Sequence, residues 1–149
     1  MKFEFSVDED ETPPPSGFDL GHIEVSGSEG VATTRDRVPG GSVMIYLTVT
    51  LLLDGLCTFL SGKSRSYEST AVDASFSLTF TRGRDGSMET CCGGSLIDRS
   101  PAAGVAAALH VAAKQFADAH LEQLPPVDAG REDLQHSLAD FERFIGRPR

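Results

Sequence analysis

The chain contains no asparagine, so N-linked glycosylation is excluded. Cysteine is almost as scarce: Cys57, Cys91 and Cys92 form an odd set, two of them adjacent. Neighbouring cysteines close only a strained ring, so no disulfide framework is expected and a reducing compartment suits the thiols. Met1-Lys2-Phe3-Glu4-Phe5 offers no apolar stretch of the kind an export signal needs, and a cytoplasmic location is the expectation. Lysine is rare as well, three against ten arginines, which with abundant alanine and glycine suggests a GC-rich bacterial genome.

The motifs of catalysis are also missing. Gly62-Lys63-Ser64 echoes the end of a phosphate-binding loop, but position 57 is Cys where that motif requires glycine, and the segment would close a helix rather than open one. No serine sits in a G-x-S-x-G elbow. His22, His110, His120 and His136 form no metal-binding pair, and Cys91-Cys92 lacks the two-to-four-residue spacing of zinc ligands. On a strand those two thiols would face opposite sides, one packed and one exposed. No catalytic residue, metal or cofactor is expected.

What is present is globular: 149 residues, 40% hydrophobic and 23% charged, the size of one domain with a core of its own. The net charge of −9 is unevenly placed. Residues 1–36 carry nine acids against Lys2 and Arg35, a balance of −7, and the rest of the chain carries 13 acids and 11 bases, a balance of −2. Such a surface repels nucleic acid and anionic lipid and steers a basic partner protein. Asp8, Glu9, Asp10, Glu11, Asp19 and Glu24 are the candidate partner-binding residues. Asp8–Glu11 with Pro13-Pro14-Pro15 makes residues 8–17 an exposed loop. Lys63, Arg65, Arg82 and Arg84 fall in two turns that could share a small basic patch.

Periodicity supplies the elements. Lys2–Val7 alternates as a half-buried strand, and Phe18–Val25 and Val31–Arg37 read as further strands. Val43, Ile45, Leu47 and Val49 alternate with Met44, Tyr46, Thr48 and Thr50, a pattern no membrane helix needs, which argues against a span over 42–60. Leu52, Leu53, Leu56, Phe59 and Leu60 then recur at helical steps. This predicts a strand over 42–49 and a helix over 50–61, with Thr50 as its N-cap and Gly62 as its C-cap. A hairpin turning at Asp54-Gly55 is the alternative. Val72 to Thr81 alternates again and turns through Arg82–Gly86 into Met88–Cys92, with a short piece at Ser95-Leu96-Ile97. Ser100-Pro101 announces a helix by cap and N1 proline, and Asp128 opens a last one that Gly146 and Pro148 stop.

The expected architecture is one α+β domain. It has a mostly antiparallel sheet of about five to six strands, a short helix, and C-terminal helices over about 101–124 and 129–145 packed on one face. In size, charge and layout the chain resembles the small acidic α+β immunity proteins that bacteria encode beside toxins. The resemblance implies a non-enzymatic monomer or homodimer that occludes a basic toxin domain. A small-molecule-binding protein or enzyme, with its site between sheet and helices, is the alternative.

Overall fold

The computed structural model describes residues 1–36, 41–71 and 76–147 of the chain. In β1 (Lys2–Val7), Phe3, Phe5 and Val7 turn inward, and in β2 (Leu20–Ser26) Gly21, Ile23 and Val25 are buried. The two pair antiparallel, from Lys2 opposite Ser26 to Val7 opposite Gly21. β3 (Val31–Thr33) and β4 (Val43–Met44) pair with successive stretches of β2, completing a four-stranded sheet. The strand expected over Val31–Arg37 stops at Thr33, where a 3-10 turn over Thr34–Asp36 bends the chain, and Arg37 lies outside the described residues.

A second antiparallel sheet has the order β5 (Ser66–Thr70), β6 (Ser77–Arg82), β7 (Ser87–Cys92), β8 (Ser95–Pro101). Phe76, Leu78, Phe80, Met88 and Ile97 are its buried side. The fold is α+β as expected, but with eight described strands in two sheets instead of five or six in one. β5 escapes a periodicity search because Ser-Tyr-Glu-Ser-Thr is polar, as edge strands often are. Of the strand expected from Val72, residues 72–75 lie outside the described ones, and β6 begins at Ser77. β8 is longer than Ser95-Leu96-Ile97 and takes in Ser100 and Pro101.

The sheets meet at a polar joint. The turn after β2 donates Glu29 N–H to the carbonyl of Ile97 (2.9 Å) and Ser28 N–H to Asp98 Oδ1 (3.2 Å), while Ser100 Oγ donates to Asp98 Oδ2 (2.5 Å). Asp98 is only 2% exposed. Burial works to raise its pKa, but the hydrogen bonds from Ser100 and Ser28 outweigh that and hold the carboxyl below its ordinary value.

α1 (Ile45–Ser61), α2 (Ala102–His120) and α3 (Ala129–Ile145) pack on one another, and α1 and α2 touch both sheets. α1 corrects the largest sequence-based expectation. The strand over 42–49 is only Val43–Met44, and the helix begins at Ile45, so Met44 and not Thr50 holds the N-cap position. The alternation misled because its polar members do not face water: Tyr46, Thr48 and Thr50 are all buried. A helix enclosed on most sides shows little amphipathic contrast. Thr50 instead donates its hydroxyl to the carbonyl of Tyr46 (2.9 Å), a bond available only inside a helix.

Asp54-Gly55 lies in the middle of α1, so the hairpin alternative fails. Glycine costs about 1 kcal/mol there relative to alanine, and the packing explains its presence. A Cβ at position 55 would overlap the hydroxyl and ring of Tyr67, which β5 lays against the helix. Gly55 is a notch for Tyr67.

At α2 the expected Ser100 cap is replaced. Pro101 closes β8 and occupies the N-cap position, and Ser100 bonds Asp98. α2 ends at His120, with a 3-10 turn over Leu121–Gln123 covering the remaining span to 124. α3 is as expected, capped by Asp128, whose Oδ1 accepts Arg131 N–H (3.0 Å). Among the described residues no helix is long and apolar enough to cross a membrane.

Candidate functional site

Alternation places Lys2, Glu4, Ser6, His22, Glu24 and Ser26 on the outer face of the first sheet, because their neighbours fill the core. The register sets Ser6 opposite His22 and Glu4 directly opposite Glu24. Like charges opposed across an antiparallel pair repel. Lys2 stands diagonally from the pair, opposite Ser26.

The loop between β1 and β2 closes over one end of this face. Asp8 N–H continues the ladder to the carbonyl of Leu20 (2.9 Å). Its carboxylate accepts Asp10 N–H (3.0 Å) and the Ser42 hydroxyl (3.1 Å), and lies 3.5 Å from His22 Nε2. The Asp10 amide is the largest cause holding the Asp8 carboxyl below its ordinary value; burial opposes it, and Ser42 and His22 assist. Glu11 Oε1 accepts Leu20 N–H (2.9 Å), and Asp19, 9% exposed, accepts Ser16 N–H (3.1 Å). The far end is tied down where Gly17 N–H donates to Asp128 Oδ2 (3.0 Å).

Arg35, on the 3-10 turn, reaches back across the face to Glu9 Oε1 (3.2 Å) and Ser6 Oγ (3.1 Å). Together with Glu4, His22, Glu24 and Thr33 it lines a shallow hollow of about 240 Å³.

The six acids named from sequence therefore divide. Asp8, Glu11 and Asp19 use carboxylate oxygens to brace the loop. Glu9 pairs with Arg35, Asp10 is exposed, and Glu24 stands against Glu4. Glu4 did not stand out in the sequence, because only strand register reveals its opposition to Glu24.

His22 was also missed. Thr34 Oγ1 accepts Ile23 N–H (3.0 Å) and shares a hydrogen bond with His22 Nδ1 (3.0 Å), while Nε2 of the same ring faces Asp8 (3.5 Å). This looks like a threonine–histidine–aspartate relay, yet Thr34 is fully buried and no substrate reaches its oxygen. The trio locks the turn carrying Arg35 to β2.

Elsewhere the two turns expected to share a basic patch do lie at one end of the second sheet, with Ser66 opposite Thr81 and the Arg65 carbonyl accepting the backbone N–H of Arg82 (2.8 Å), but the Arg82 side chain is engaged within the fold. Its guanidinium donates to the carbonyls of Phe59 (2.6 Å), Gly62 (3.1 Å) and Ser64 (2.9 Å) and lies over the Phe59 ring, capping the C-terminal end of α1. Lys63, Arg65 and Arg84 are exposed. On β7, Cys91 is half-buried and Cys92 buried, and burial pushes the Cys57 thiol pKa up. His120 rests on Phe116, with its pKa lowered by burial.

No group of three or more metal-ligating side chains occurs among the described residues. Between the sheets and helices those residues pack as one apolar core, with Tyr46, Phe80, Phe116 and Phe141 among its large members. Burial is the largest cause raising the Tyr46 hydroxyl to about 12, with Asp19 and Asp128 adding to it.

Compared with known proteins, the chain matches no family model, no curated protein and no solved structure.

Proposed function

We propose that the chain is a non-enzymatic, cytoplasmic bacterial binding protein that engages a basic partner protein through the outer face of its first sheet. The immunity proteins it resembles in size and charge would act this way, by covering a toxin's cationic site. The observation that carries the reading is Glu4 held directly opposite Glu24 on an open sheet face. An electropositive partner offsets that repulsion on binding and also gains Glu9 and Asp10 at the loop. Asp8, Glu11 and Asp19 hold the loop in shape, so their part is to position. Long-range attraction between a −9 protein and a basic one speeds encounter and weakens with salt, because screening acts over about 10 Å at 0.1 M.

The test is capture of partners from a lysate of the source organism at low and moderate salt. Wild type is compared with a Glu4→Gln/Glu9→Gln/Asp10→Asn/Glu24→Gln variant. The variant is expected to keep its fold and lose the salt-sensitive partner. Equal capture of one partner by both proteins at both salts would overturn the reading.

A further inference from the structure

The second sheet ends in an edge that is built differently from the acidic face. Arg82 N–H donates to the Arg65 carbonyl and Ala71 N–H to the Phe76 carbonyl, each at 2.8 Å. In the register Tyr67 opposite Phe80 and Ser69 opposite Leu78, antiparallel alternation makes these odd positions the hydrogen-bonded ones. The backbone N–H and C=O groups of Ser66, Glu68 and Thr70 therefore point away from β6. β5 is the end strand of this sheet among the described residues, so that row of donors and acceptors faces outward.

Beside this edge runs a groove of about 610 Å³, walled by β5 on one side and α1 on the other. The helix presents Leu51, Asp54, Gly55 and Thr58 to it, the three- and four-residue steps of one helical face. Leu51 is 45% exposed although apolar, and Phe59 and Tyr67 contribute ring surface below. The charged lining residues are Asp54 and Glu68, both acids, and the bases nearest in sequence, Lys63 and Arg65, do not line the groove.

We infer that this edge and groove dock an extended segment of a partner protein that alternates apolar and basic side chains. The segment adds as a strand outside β5. Its apolar side chains enter on the Tyr67 face beside Leu51 and Phe59, its lysines or arginines meet Glu68 on the opposite face, and Asp54 at the helix rim adds longer-range attraction for their charge. Main-chain pairing supplies affinity and the alternating pockets supply selectivity. A second copy of this chain fits worse, because it would bring its own Glu68 and Asp54 to the same acids and add −9 to −9. The surface stands apart from the outer face of the first sheet and does not depend on it.

The probe is a capped peptide of about seven residues, alternating lysine and valine, added to the full chain and followed by amide hydrogen exchange. The peptide is expected to slow exchange at Ser66, Glu68 and Thr70 by about tenfold or more, with little change at Tyr67 and Ser69, whose amides already bond β6. Replacing alternate peptide residues by proline, or changing Asp54→Lys and Glu68→Lys in the protein, is expected to weaken binding by about tenfold or more. Unchanged exchange within β6 to β8 verifies that the variant is folded. Four results would each overturn the proposal: no binding, equal binding by the proline peptide, protection confined to β1 and β2, or protection at β5 that grows with protein concentration and needs no peptide.

Discussion

The two sheets have the same number of described strands and share one helical layer, yet they treat acidic residues in opposite ways. On the second sheet Glu89 stands directly opposite Arg99 and the two form an ion pair (2.9 Å), while Thr70 and Ser77 share a hydroxyl bond. On the first sheet Glu4 stands directly opposite Glu24, and the nearby cation Arg35 is bonded to Glu9 and Ser6. Cross-strand pairs of opposite sign stabilise a sheet and pairs of like sign destabilise it. The second sheet is arranged for its own stability. The first keeps a local cost on its surface, which is where a working face is sought.

The largest break in this comparison severs the sheets from each other. Asp98 is buried, receives Ser28 N–H across the joint, and is held in place by Ser100 on its own strand. Asp98→Ala removes bonds to a charged group and leaves Ser28 N–H without that acceptor, a loss of about 3 kcal/mol in denaturant unfolding. The pH dependence has a definite sign. Because the folded pKa lies below the unfolded one, near 3.8, the native state binds fewer protons. The stabilisation is present above that value and lost as pH falls through the folded pKa. Asp98→Asn is expected to flatten this acid limb; a limb as steep as wild type would mean that Asp98 does not carry it.

Next in size is the seating of the second sheet on α1. Gly55→Ala gains helix propensity but drives a methyl into Tyr67, which must give up its ring contacts with Phe59 and Phe80 to swing toward the groove. The expected net effect is a destabilisation of about 2 kcal/mol. A double-mutant cycle checks the cause: in a Tyr67→Ala background, Gly55→Ala is expected to become neutral or stabilising. An additive cycle would remove Tyr67 from the explanation.

Gly55 also shows how much of the fold was legible in the sequence and why the rest was not. β1, β2, the hairpin from β6 to β7 and α3 have one dry and one wet side, so their period appears in the residues themselves. The first turns of α1, Ile45 to Thr50, have almost no wet side, and buried Tyr46, Thr48 and Thr50 mimicked the polar half of a strand. β5 has little dry side, so Ser66–Thr70 gave no signal. The acidic character of the candidate face was visible as composition. Its arrangement was not, because Glu4 meets Glu24, and Asp8 meets His22 and Ser42, only through register and loop closure.

The smallest expected effect tests the comparison most directly, by exchanging the two arrangements. Glu24→Lys sets a base opposite Glu4 and is expected to stabilise the first sheet by about 0.5 kcal/mol, and Arg99→Glu sets acid against Glu89 and is expected to destabilise the second by a similar amount. Solvent screening keeps both small, and both should shrink further in high salt. Binding separates the faces where stability barely does. Glu24→Lys should weaken capture of a basic partner while making the protein harder to unfold, whereas Arg99→Glu should leave that capture unchanged while making it easier. A Glu24→Lys protein that unfolds more readily than wild type would show that Glu4 and Glu24 do not repel in the folded state. The first sheet would then be as internally satisfied as the second.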